Sequence, residues 1–205
     1  MNGVPPECRD WFVDHEGKPR PWSRDRSTPE EARWALAFHE AGHAVTALAY
    51  GMHLVSTGLI TVTTEDGGWA TTGGTRVVTN SVSAQHFAIH MAAGERADLH
   101  HRSRTGPVTS EMVELALSEH DREDAIAFLG TRGFLLGRDH TPPGGMSWKS
   151  VQYAADFAVT GLWDPIEAVA HGIHSRGSLT GDEAAVLAGV PNPPRQPTDS
   201  PKEAS

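Results

Sequence analysis

His39, Glu40 and His43 stand in an HExxH pentapeptide, His39-Glu40-Ala41-Gly42-His43, inside a run whose apolar spacing predicts a helix. Residues four apart on a helix share one face and lie about 6 Å apart along its axis, so both imidazoles can converge on one cation. Zinc suits such a pair. It accepts neutral imidazole nitrogen, and a catalytic site takes three protein ligands and keeps the fourth position for a water whose pKa the metal lowers to about 7. Glu40 is rotated about a quarter turn from His39, so its carboxylate can reach that water as a general base without becoming a ligand. The pattern by itself is thin: with 12 histidines in 205 residues, roughly one shuffled chain in twenty contains HExxH.

The flanking residues carry more weight. Thr28-Pro29-Glu30-Glu31 supplies an N-cap, a proline at the first helical position and a capping glutamate, and Gly51 supplies a stop. Trp34, Leu36, Phe38, Ala41, Val45 and Leu48 predict a largely buried helix, in which two histidines and a glutamate need partners. A third ligand must come from elsewhere in the chain. Asp121 and Asp124 fall in the first turn of a helix predicted over residues 118–129, where an acid also serves as a cap or dipole partner. Glu95 and Asp98 are lesser candidates, as ligands or as acceptors for a ring N–H of a ligating histidine. A metzincin is excluded, because its third histidine would fall at position 49, which is Ala49.

Phe38-His39-Glu40-Ala41-Gly42-His43-Ala44-Val45 resembles the active-site helix of the FtsH-type zinc peptidases, whose motif is HEAGHA. Met91-Ala92-Ala93-Gly94-Glu95-Arg96-Ala97-Asp98 is similar to that family's AGRAAEE segment, and Ser118-Glu119-His120-Asp121-Arg122-Glu123-Asp124-Ala125 to its ASNDLEQAT segment. The resemblance covers roughly residues 30 to 190. It implies one zinc ion per chain, held by His39, His43 and Asp121, with Asp124 in reserve, and a metal-activated water working with Glu40 on peptide bonds. It also implies that a strand edge near Trp69 to Gly73 holds extended substrate. No segment matches the family's ATPase module or transmembrane spans, so the expectation is a stand-alone metallopeptidase domain. Its expected partners are flexible or unfolded protein segments, a separate ATPase or scaffold chain, and further copies of itself, since the family's peptidase domains form rings. Two other classes remain open: a non-catalytic zinc-stabilised interaction module, and a small-amide hydrolase.

Around these residues the chain predicts a mainly helical (α+β) domain over residues 28–189. It is preceded by a poorly structured arm, 1–27, and followed by a disordered, proline-rich tail, 190–205. Residues 53–63 and 69–79, rich in Val, Ile and Thr, read as strands joined by a turn at Glu65-Asp66-Gly67-Gly68. Helices are expected over 80–101, 118–129, 147–160 and 165–174, and a short one from Thr180 with Glu183 as its capping partner; 130–147 reads as a long loop. His86 and His90, with no carboxylate between them, read as hydrogen-bonded or exposed. The group Arg96, His100, His101, Arg102 and Arg104 reads as a solvated helix end, and His171 and His174 as surface residues. A net charge of -9 argues against nucleic acid as a partner. The single cysteine, Cys8, rules out an intrachain disulfide and a cysteine zinc site. With no apolar run near 20 residues and no signal peptide, the expected location is the cytoplasm.

Overall fold

A computed structural model describes residues 28–63, 69–79, 81–107 and 118–196. The expected arm, the turn at 65–68 and the last part of the tail lie outside them. The fold is mainly helical with a small antiparallel sheet, as expected. Helix α1 (Pro29–Ala49) runs through its centre, because almost every side chain from Ala35 to Leu48 is covered. Its start is fixed as predicted: Thr28 accepts from the Glu31 backbone N–H, and the Glu31 carboxylate returns to the Thr28 N–H at 2.7 Å. It stops at Tyr50, after which Gly51 turns the chain with φ of 84°.

Strand β1 (His53–Thr63) then pairs antiparallel with β2 (Trp69–Val78), from His53 opposite Val78 to Thr63 opposite Trp69. A bulge between Leu54 and Ser56 shifts the alternation by one residue, so Leu54, Thr57 and Leu59 all face inward. On its other side β1 pairs with a strand too short to announce itself, β5 (Ser178–Thr180), giving the order β2-β1-β5. Strand β2 is therefore an edge.

Helix α2 (Ala84–Thr105), capped by Ser83, begins four residues later than expected and lies along α1. The crossing is close because it is built from small residues: a Cβ on Gly42 would meet the Ala93 carbonyl oxygen at 2.5 Å and the Ala97 Cβ at 2.8 Å. Helix α3 (Glu119–Gly130) and α4 (Trp148–Gly161) pack on α2, and α5 (Trp163–Arg176) packs on α1. Helix α6 (Gly181–Ala188) closes the sheet side, opened by the predicted Thr180–Glu183 capping box. The loop after α3 carries two parallel two-residue strands, β3 (Leu136–Gly137) and β4 (Met146–Ser147).

Two apolar clusters flank α1. One joins it to β1, α5 and α6, through Phe38, Val45, Leu54, Ile166 and Ile173. The other gathers Phe87, Ile89, Leu129, Trp148 and Val151 from α2, α3 and α4 around Ala47 and Met52. Within the expected tail the chain beyond α6 is tied to the body: the Asn192 side chain bonds both the N–H and the carbonyl of Leu54, each at 2.9 Å, and His53 Nδ1 donates to the Pro193 carbonyl. No described helix is long and apolar enough to cross a membrane.

Candidate metal centre

The helix places His39 and His43 one turn apart, and α3 brings Asp121 to them from 78 residues further along the chain. The three reactive atoms form a nearly equilateral triangle: His39 Nε2 to His43 Nε2 is 3.1 Å, and each lies 3.2 Å from Asp121 Oδ2. Ligand atoms in a tetrahedral zinc shell, about 2.0–2.1 Å from the ion, sit about 3.3–3.4 Å apart. The donor set therefore fits one small divalent cation. Asp124, the reserve, is exposed and outside the group. His39 and Asp121 keep 15% and 20% of their side-chain surface accessible against 7% for His43, so the triangle opens to solvent on the His39–Asp121 side.

Each ring is aimed. His43 Nδ1–H donates to the His90 carbonyl at 2.8 Å, so Nε2 faces the triangle and, once its proton is displaced, turns its lone pair there. His90 returns the bond, its Nδ1 lying 3.0 Å from the His43 carbonyl, and burial holds that imidazole neutral, lowered to about 3. Burial opposes charge on His43 as well, but Asp121 outweighs it and raises His43 to about 9. Burial likewise opposes charge on Asp121, and the two histidines overcome it, holding the carboxyl well below the usual carboxylate range. Such a mutually stabilised donor set is what a divalent ion would take over.

Glu40 is buried beside the triad, under β2. Thr75 Oγ1 donates to Glu40 Oε2 at 2.7 Å, and Thr57 shares a bond with Thr75 at 2.8 Å. Gly73 leaves room for the carboxylate, since a Cβ there would lie 2.5 Å from Oε1 and 2.8 Å from Cγ. Gly94 does the same for the imidazoles: its Cβ would fall on both rings, 2.6 Å from His39 Nε2. Thr75, Gly94 and the His90 carbonyl were not legible as site residues, and Gly73 was expected only as the end of a substrate-holding edge. The only sequence signals were a glycine pair inside a strand and a glycine in the Ala92-Ala93-Gly94 run, both marks of close backbone approach.

The remaining candidates take other partners. Glu95 accepts from Gln152 Nε2 at 2.5 Å, and Asp98 accepts from Arg102 Nε at 2.7 Å; neither bonds a ligating ring. His86 stacks on Tyr50. The basic end of α2 is packed as well as solvated: His101 lies 4.0 Å from the Phe38 ring, His100 4.2 Å from Trp163, and Arg96 pairs with Asp156 at 2.6 Å. These rings cover apolar faces that α1 and α5 present there. His174 stacks on Trp34 at 3.7 Å and is half-buried for the same reason, whereas His171 is exposed. Comparison of the sequence with models of known protein families and with curated proteins gives no match.

Proposed function

We propose that this chain is a zinc-dependent metallopeptidase of the FtsH type, which hydrolyses peptide bonds in flexible or unfolded protein segments. The observation that carries the reading is the triangle of His39, His43 and Asp121, open on one side and with Glu40 on the same helix. Zinc bound there would supply a Lewis acid for the scissile carbonyl and acidity for a water. Glu40 takes the proton of the attacking water and passes it to the leaving amine, the work of a carboxylate placed beside the donor set and outside it. Thr75 fixes Oε2 and Gly73 leaves the space, so the carboxylate is held ready in one position.

The edge of β2 supports a peptide as substrate. Among the described residues it pairs only with β1, and Gly73 on that strand touches Glu40. An extended peptide added along the outer edge would gain main-chain hydrogen bonds without demanding one sequence. A structural zinc site would close its fourth position and needs no base; no fourth His, Cys, Asp or Glu joins the group among the described residues.

The test is metal content together with cleavage of unfolded casein, for wild type and Glu40→Gln. One zinc per chain, with cleavage that the substitution abolishes while metal stays bound, is the expected result. Zinc without cleavage in either protein would overturn the peptidase reading in favour of an interaction module, and no metal would overturn the site.

A further inference from the structure

We propose that Glu95 is a positioning residue for the metal, fixing the start of α3 and so setting where Asp121 meets the two histidines. The proposal rests on the metal reading of the triad.

His39 and His43 need little help to converge, because one helix turn sets their separation. Asp121 depends on how α3 is hung. The later part of α3 is anchored by apolar contacts, with Ala125 and Leu129 buried and Phe128 4.2 Å from Phe87. Among the described residues its first turn has no such apolar anchor. Between that turn and α4 lies a cavity of about 370 Å³, lined by Ser118 and Glu119 on one side and Trp148 and Gln152 on the other.

Glu95 spans the inner wall of this cavity and is 1% exposed. Its carboxylate accepts from Gln152 Nε2 at 2.5 Å and faces the backbone N–H of Ser118, which favours its charged form. Ser118 is the N-cap of α3, and its Oγ accepts from the Asp121 backbone N–H at 3.4 Å. Glu95 thus reaches the third ligand through the cap of its helix. It also follows Gly94, which lies against both imidazoles. Consecutive residues of α2 thereby register the histidine half of the site and the aspartate half against each other. A carboxylate this deeply buried is costly unless polar groups meet it, and here one of those groups belongs to the cap of the ligand-bearing helix.

The experiment measures zinc affinity by chelator competition, and the visible absorption of the cobalt-substituted protein, for wild type, Glu95→Ala and Glu95→Gln. Melting of each metal-free protein is measured alongside. Glu95→Ala should bind zinc about tenfold or more weakly, as loss of a residue that orients a ligand does, and its cobalt absorption should change as Asp121 moves. Glu95→Gln should recover most of the affinity, because its amide oxygen still faces the Ser118 N–H while the Gln152 amide can turn to accept from the new N–H. Wild-type affinity in folded Glu95→Ala, with or without a lower melting point, would overturn the proposal and leave the metal reading standing. Wild-type protein that binds neither zinc nor cobalt would overturn both. If Glu95→Ala does not fold, Glu95→Asp, one methylene too short to keep both contacts, replaces it; weakened binding supports the pin and unchanged affinity overturns it.

Discussion

Burial opposes a charge on His43, yet the Asp121 carboxylate 3.2 Å away raises that imidazole to about 9, so the metal-free protein carries a proton there at pH 7. A cation must displace it. Zinc titrated calorimetrically at pH 7, in buffers of different ionisation enthalpy, should therefore release about one proton per ion; buffer-independent heats would contradict the coupling. The same pair gives the metal-free protein a signed pH dependence. His43 is raised above its ordinary 6.5, so its contribution to stability is complete below that pH and is lost as pH rises through about 9. Asp121 is depressed, so its contribution is present above its ordinary 3.8 and is lost as pH falls below it. Metal-free protein should melt highest between these limits and lower at pH 9, while the zinc-loaded form should not share the alkaline loss. Glu40→Gln should keep the metal and lower kcat by about 10²–10⁴, measured with a quenched fluorescent peptide. At this scale the sequence was informative where helical periodicity turns spacing into geometry, which is why His39, Glu40 and His43 could be named. Asp121 was harder. An acid in a first helical turn looks like a cap, and here Ser118 does the capping while the carboxylate turns to the histidines.

Between elements, the decisive feature is how closely α1 and α2 approach. Gly42 and Gly94 both sit in that contact, but an added methyl would meet different things. At Gly42 it would strike the Ala93 backbone and Ala97, and at Gly94 it would strike the ring nitrogens of the ligand pair. Gly42→Ala should therefore lower stability by about 1–3 kcal/mol by forcing two packed helices apart. Gly94→Ala should fold with a smaller loss and bind zinc at least about tenfold more weakly. Denaturant melts and chelator competition on both variants separate the two effects, and equal profiles would mean that Gly94 acts through packing alone. Two helix starts were legible from local chemistry: Thr28 with Glu31 and Thr180 with Glu183 both cap as their spacing implies. Strand β5 was not, because three residues carry no period and their pairing with β1 is a tertiary fact. The basic end of α2 was misleading for a similar reason. His100 and His101 look polar in sequence, but imidazole is flat enough to cover Trp163 and Phe38.

For the whole molecule, the position of β2 decides what can reach the His39–His43–Asp121 group. Strand β2 is at once the edge of the sheet and the roof over Glu40, which it touches through Thr75 and Gly73. A peptide pairing with that edge would run beside Glu40, and only a segment free to lie extended could do so. A compact protein must first open locally, at a free-energy cost that lowers the fraction cleavable at any moment; a separate ATPase or scaffold chain would be needed to present it. An unfolded chain such as casein should thus be cut at least about tenfold faster than a compact protein of similar length, and heating the compact substrate through its own melting transition should close the gap. Glu40→Gln, which would bind without cutting, gives the positional half of the test. With an unfolded chain added, backbone amides in Trp69–Val78 should gain protection from hydrogen exchange, because a paired edge exchanges slowly. Protection confined to other elements, or equal cleavage of folded and unfolded substrates, would show that β2 is only the roof of the site and that peptides reach the zinc by another route.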